Sequence, residues 1–279
     1  MLYTLLAQYM LRQVSPLPEG SGQPPWIQSG RLGDWHLLGS IGKGSFGEVF
    51  LAEDAAGTRK ALKVFAPRND SRTAFDLEYD GMELAYHRMK KHPHLVPVES
   101  TGRTEYCIYY VMPPADALAE DPYTPHTLHN RIQRNDLTEA ELLELTAGIL
   151  DALAFLHEKQ LVHRDIKPDN ILKISGRWYL GDLGLLARNR PRHFAGTPGF
   201  YPPKKSYRAD EAGDLYALGK TLYCAATGMK AENYPLVPDH YDYNRFPKIR
   251  RLYRNAVEGR YPSAEAMRRD QSSCRDAEP

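Results

Sequence analysis

His163-Arg164-Asp165-Ile166-Lys167-Pro168-Asp169-Asn170 decides how the chain is read. It sets a carboxylate (Asp165), an ammonium (Lys167) and a carboxamide (Asn170) close together, and Pro168 stops any helix that would begin there. A helical pattern precedes the stretch, and Ile171-Leu172-Lys173-Ile174 reads as a strand. The polar groups therefore sit on a loop between rigid elements, where chemistry is commonly mounted. Further on, Gly181-Asp182-Leu183-Gly184 supplies a second carboxylate beside glycines. Two carboxylates and an amide suit a magnesium–polyphosphate complex, because hard cations take oxygen ligands and keep several waters. A polar turn satisfying its own backbone explains any one of these residues. It does not explain the ordered set.

That set resembles the catalytic loop of protein kinases, His-Arg-Asp with Asn five residues after the Asp. The resemblance implies that Asp165 accepts the proton of a substrate hydroxyl and that Asn170 and Asp182 hold Mg²⁺, with Mn²⁺ as an alternative. Lys167 resembles the serine/threonine type, its ammonium balancing charge that develops on the transferred phosphoryl group. Gly196-Thr197-Pro198-Gly199-Phe200 resembles the substrate-binding segment of that type, with Thr197 hydrogen-bonding toward Asp165 and Lys167.

Gly42-Lys43-Gly44-Ser45-Phe46-Gly47-Glu48-Val49 lies between two expected strands. Glycines let backbone amides approach a polyphosphate closely. A dinucleotide fingerprint needs a helix straight after its glycines, and here a strand follows. The arrangement is similar to the kinase loop that covers nucleotide phosphates. Lys63, inside the apolar strand Ala61-Leu62-Lys63-Val64, reads either as a snorkelling edge lysine or as a partner of nucleotide phosphates. By resemblance it is held by Glu83, whose distance from Pro93 fits the family better than that of Glu78. The same resemblance implies an ATP site lined by Ile41, Gly42, Lys43, Gly44, Ser45, Gly47, Val49, Ala61, Lys63, Met112, Pro113, Ala115 and Leu172. Met112 is its gatekeeper, and backbone of Pro113 and Ala115 meets the adenine. Pro113 stands where the family usually has an acidic residue, but proline keeps its carbonyl, and the amide of Ala115 remains as donor.

Other departures concern the segment after Asp182. Leu183 replaces a phenylalanine and stays apolar. Lys204 stands where a glutamate usually pairs with an arginine, here matched by Arg260, so the segment must be anchored otherwise. Residues 185–196 contain no Ser, Thr or Tyr, and activity without phosphorylation of this loop is expected. Asp214 opens a buried helix, either as its N-cap or, by resemblance, as a ligand of catalytic-loop backbone.

Composition fits this reading. The 279 residues are 42% hydrophobic and 25% charged, as in a soluble globular protein, with 36 basic against 35 acidic residues. A net charge of +1 gives no basic excess for nucleic acid. Cys107, Cys224 and Cys274 have no metal spacing and read as free thiols of a reducing compartment; cytoplasmic is the default. No apolar run reaches the roughly 20 residues of a membrane span. Leu2, Leu5, Leu6, Tyr9 and Met10 share a helical face that packs on its own domain or touches a partner.

The expected layout is α+β and bilobal, protein-kinase-like: a small antiparallel β-sheet lobe with one main helix, joined to a larger, mainly helical lobe. Residues 1–34, rich in Pro and Gly, form an extension and linker; 35–269 form the kinase domain, with lobes 35–112 and 116–269; 270–279 form a tail. Strands are expected at Trp35–Ile41, Glu48–Glu53, Arg59–Phe65, Leu95–Val98 and Tyr106–Met112, with a hairpin at Ala55-Ala56-Gly57-Thr58. Helices are expected over roughly 72–91, after the capping box Thr138–Glu141, over Asp214–Ala226 with Gly228 as C-cap, and near 262–269. The compact length looks microbial. The function implied is transfer of the γ-phosphoryl group of Mg-ATP to Ser/Thr hydroxyls of proteins; the alternative is a pseudokinase scaffold that binds nucleotide or partners without transfer.

Overall fold

The computed structural model describes residues 30–43, 47–65, 79–86, 92–104, 107–188, 196–202 and 210–275. The apolar N-terminal stretch, Gly44, Ser45, Glu78, Tyr106 and Lys204 lie outside them. The chain divides into two compact units, 1–91 with 96–125, and 92–95 with 126–279.

The first unit is built on an antiparallel sheet of β1 (Arg31–Leu32), β2 (Trp35–Lys43), β3 (Glu48–Glu53), β4 (Arg59–Phe65), β5 (Ser100–Arg103) and β6 (Ile108–Met112), in the order β1-β2-β3-β4-β6-β5. The β3–β4 hairpin closes as its sequence demands. Asp54 Oδ1 accepts the amides of Ala56 and Thr58, and Gly57 takes φ +81°. Register decides what each face carries. Val49 pairs with Lys63 and Lys63 with Tyr110, while Leu51 pairs with Ala61 and Ala61 with Met112. Because cross-strand partners share a face, Val49, Ala61, Lys63, Tyr110 and Met112 lie on one side. The opposite side buries Leu32, Phe50, Leu62, Val64 and Val111. Helix α1, described over 79–86, packs Tyr79 and Met82 on Phe65, Ile108 and Tyr110, on the face that carries Lys63.

Three boundaries differ from the sequence reading. Leu32 is fully buried and already in the sheet, so the fold begins before Asp34. Leu95–Val98 is not a strand: Leu95 makes a lone bridge to Leu180, and the paired edge strand is β5. Beyond Met112 the first unit continues through the hairpin β7 (Ala117–Glu120) and β8 (Tyr123–Pro125).

The second unit holds α2 (Leu128–Arg134), α3 (Glu139–Glu158), β9 (Leu161–Val162), β10 (Ile171–Ile174), β11 (Arg177–Leu180), β12 (Ala187–Arg188), α4 (Glu211–Thr227), α5 (Pro247–Val257) and α6 (Ala264–Arg275). Helix α3 starts in the expected capping box, with Thr138 Oγ1 accepting the Glu141 amide and Glu141 Oε2 accepting that of Thr138. Its Leu142, Leu145, Ile149, Leu153 and Leu156 are fully buried. Helix α4 ends at Gly228 (φ +71°) as expected, but its N-cap is Asp210, whose side chain accepts the Gly213 amide. Asp214 is therefore not the cap. Helices α2 and α5 are additional to the sequence reading. Helix α6 extends past Arg269: Gln271 is buried and donates to Leu143 O, so residues 270–275 belong to the fold and are no tail. No described helix is long and apolar enough to cross a membrane.

Candidate active site

The catalytic-loop residues converge through a polar network within the second unit. Thr197 Oγ1 donates to Asp165 Oδ1 at 2.6 Å and accepts from Lys167 Nζ at 2.9 Å. Lys167 Nζ also lies 3.1 Å from Asp165 Oδ2. Asn170 Nδ2 donates to Asp165 Oδ2 and to its backbone oxygen, at 2.9 and 2.7 Å. A short turn beginning at Pro168 holds the carboxamide in place before the chain enters β10. Asp165 and Asn170 are both buried, so these bonds form where water competes little.

The loop itself hangs from α4. Asp214 Oδ2 accepts the His163 amide and a bond from His157 Nε2, and Oδ1 accepts the Arg164 amide, each at 2.9 Å. Burial alone pushes its carboxyl up, but hydrogen bonds and charge from His157, His163 and Arg164 hold it below the ordinary 3.8. Arg164 sits at φ +70°, a left-handed conformation that costs energy outside glycine, and the Asp214 carboxylate grips its amide. The structure thus gives Asp214 the loop-binding role.

His163 fixes the next link. Its Nε2 donates to Gly181 O at 2.9 Å, which leaves Nδ1 to accept the Asp165 amide at 3.3 Å. The Gly181 amide in turn donates to Asn170 O at 2.8 Å, where the β10–β11 hairpin opens. Asp182 follows directly, at φ +55°, and Leu183 behind it is buried. The carboxamide nitrogen of Asn170 is committed to two oxygens of Asp165, since the flipped orientation would set oxygen against oxygen. Its carbonyl oxygen has no hydrogen-bond partner among the described residues, and with the Asp182 carboxylate tethered one residue beyond the Gly181–Asn170 bond the donors are all hard oxygen. They fit Mg²⁺ or Mn²⁺ completed by substrate phosphates. Among the described residues no group of three or more His, Cys, Asp or Glu could hold a metal by itself.

In the first unit Lys63 is buried, its Nζ 5.9 Å from the centroid of the Tyr110 ring. Glu83 lies on α1 beside Tyr79, whose phenol is pushed up to about 12 by burial and then by the charge of Glu83. Of the glycine loop, Gly42, Lys43 and Gly47 are described. Gly47 is required for a packing reason, because a Cβ there would stand 2.4 Å from Val64 O. Ile41, Val49 and Met112 are half-buried and Ala61 fully so; Leu172 is half-buried in β10 of the second unit. After Pro113, Ala115 O accepts the Tyr123 hydroxyl at 2.5 Å. Sequence reasoning missed this tyrosine, as it did His157 under the catalytic loop. Arg260, matched by sequence to Lys204, pairs with Glu258 at 2.6 Å.

The protein kinase domain model matches residues 35–263. Curated relatives include a CBL-interacting serine/threonine-protein kinase of Arabidopsis thaliana, 29% identical over 71% of this chain and 46% of its own. A second is serine/threonine-protein kinase B of Synechocystis, 28% identical over 70% of this chain and 37% of its own. A third is calcium/calmodulin-dependent protein kinase type 1B of Rattus norvegicus, 30% identical over 78% of this chain and 62% of its own. The matched region thus spans about half the length of these relatives. A domain of this kind uses ATP and a divalent cation and acts on protein substrates. With that match behind the loop, the hairpin and the threonine bonded to Asp165 and Lys167, the chain belongs to the protein kinase domain family.

Proposed function

We propose that this chain is an ATP-dependent serine/threonine protein kinase. The observation that carries the proposal is the bonded set Asp165–Thr197–Lys167–Asn170. Asp165 is its base: Thr197, Lys167 and Asn170 fix both carboxylate oxygens, so a substrate hydroxyl meets a carboxylate that needs no rearrangement. As the hydroxyl oxygen bonds to the γ-phosphorus, its proton passes to Asp165 and ADP leaves with the electrons of the broken P–O bond. Lys167 contributes positive charge toward the oxygens of the transferred group. Asn170 and Asp182 would hold the cation, which neutralises phosphate charge; Mg²⁺ is proposed and Mn²⁺ is a substitute of the same hard character.

In the first unit, Lys63 is proposed to bind nucleotide phosphates with Glu83 as its orienting partner. Gly42, Lys43, Gly44, Ser45 and Gly47 would face the phosphates, and Val49, Ala61 and Met112 the base. The shared sheet face of Val49, Ala61, Lys63 and Met112 supports this assignment.

Transfer of radiolabelled phosphate from ATP to a generic protein tests the reading. Asp165→Asn should lower the rate about 10²- to 10⁴-fold, the range of general-base catalysis, with ATP affinity retained. Wild-type protein that binds ATP and transfers nothing would leave the nucleotide-binding scaffold as the reading.

A further inference from the structure

Helix α5 carries two opposed faces. Ile249, Leu252, Tyr253 and Ala256 are buried, and Gly219 of α4 allows the close approach: a Cβ there would stand 2.8 Å from that of Ala256. The opposite face, with Pro247, Arg250, Arg251, Arg254 and Glu258, lines a cavity of about 270 Å³. After the helix, Gly259 (φ +70°) turns the chain so that the Arg260 amide donates to Asn255 O, which brings Arg260 to the same cavity.

We propose that this cavity is a phosphate-monoester binding site, separate from the catalytic loop and independent of phosphotransfer. Among the described residues, four guanidinium groups stand near two carboxylates. Arg251 takes Asp270 at 2.7 Å, and Arg260 takes Glu258 at 2.6 Å. Arg254 is left 3.9 Å from the same Glu258, and Arg250 has no carboxylate partner among the described residues. Arg250 instead donates to Tyr243 O and lies 5.2 Å from the Tyr243 ring, which holds its planar group in place.

Folding accounts for Arg251, which ties α5 to α6 through Asp270, and for Arg254, a cation in the last turn of α5, but not for Arg250. The first turn of α5 contains no acidic residue, and its free amides at Lys248 and Ile249 are already served by Glu139 Oε1 at 2.7 and 3.2 Å. A cation near a helix N-terminus opposes the helix dipole, so Arg250, in the first turn of α5, weakens the helix where it stands. A dianion with several acceptor oxygens relieves that repulsion, and arginine forks match phosphate geometry in pairs. The cavity has room for the phosphate and the residue that bears it. The chemistry is shared by phosphoserine or phosphothreonine in a protein and by free inorganic phosphate.

Isothermal titration of the full chain separates these sources, using inorganic phosphate, a phosphoserine peptide and the same peptide unphosphorylated. The phosphopeptide should bind at least about tenfold tighter than the plain peptide. Arg250→Gln with Arg254→Gln should remove about tenfold or more, as expected for charge-assisted hydrogen bonds. Glutamine keeps helix propensity, and both paired arginines remain. Arg254→Lys, which keeps the charge but loses the fork, should fall between and guards against misfolding of the double variant. Phosphopeptide favoured over phosphate assigns a protein-borne ligand, and equal affinity per site assigns the free ion. Equal binding of both peptides, or binding untouched by the arginine changes, overturns the proposal.

Discussion

The two halves of the candidate machinery are held by different physics. In the first unit the residues assigned to nucleotide are placed by strand register and by apolar packing: Lys63 sits where its strand pairs, and α1 is pressed on the sheet by Tyr79 and Met82. In the second unit the catalytic loop is irregular backbone suspended from one buried carboxylate, Asp214, and closed by side-chain hydrogen bonds. Register tolerates polar change and resists added volume. A buried polar network behaves the other way, since removing one partner strands the rest without water. The lesson is that the loop should fail through charge, and the sheet through shape.

Asp214→Asn is the largest test of that difference outside the catalytic base itself. The amide keeps the shape but must donate where both oxygens now accept, leaving His157 or a backbone amide unpaired. A loss of about 3 kcal/mol is expected, the upper end of the cost of leaving a buried donor that bonded a charged acceptor unsatisfied, measurable by urea denaturation. The pH dependence has a definite sign. The folded carboxyl is held below its ordinary value, so its contribution is present above the unfolded value of 3.8 and is lost as pH falls through the folded one. The variant should therefore show a flatter acid limb than wild type below that value. An unchanged acid limb would mean that the loop is not hung on this charge.

Gly47→Ala probes shape. The new Cβ would approach Val64 O to 2.4 Å and Phe65 Cβ to 3.2 Å, and the backbone oxygen of β4 cannot swing aside without disturbing its pairing. About 1–3 kcal/mol should be lost from the first unit, the usual range for overpacking, with no pH dependence. Hydrogen exchange would place the loss in β3 and β4. A loss spread over α3 and α4 instead would erase the contrast between the halves.

Much of this was legible in the sequence, for reasons that differ by residue. Asp165, Lys167, Asn170, Asp182 and Thr197 stand in an order that few other chemistries need, and β3, β4 and the capping box of α3 are signalled by local turn and cap residues. Asp214 was harder to place. An aspartate opening a helix looks the same in sequence whether it caps the helix or reaches elsewhere, and Asp210 lies one turn earlier. Its partners His157 and His163 are more than fifty residues away, at a range local pattern does not report. Helix α5 was hidden by composition, because its arginines mask the apolar stripe Ile249, Leu252, Tyr253 and Ala256. Leu95–Val98 has a strand's apolar run but no continuous partner.

The smallest effect is expected where the first unit borrows the second unit's device, a single polar tie. Tyr123 donates to Ala115 O at 2.5 Å and joins the segment after Met112 to the β7–β8 hairpin. Burial, then the charges of Asp116 and Glu120, push its phenol up to about 12. A raised folded value means that the contribution is complete below the ordinary 10 and is lost as pH rises through about 12. Tyr123→Phe should cost about 1 kcal/mol, the net worth of one hydrogen bond, and should flatten the alkaline limb of the stability curve. Because the first unit is placed chiefly by register, ATP affinity should change by less than about threefold, well under the tenfold that 1.4 kcal/mol represents. A larger change would show that the Ala115 carbonyl is set by this hydroxyl rather than by the sheet, and the two halves would then share one mode of support.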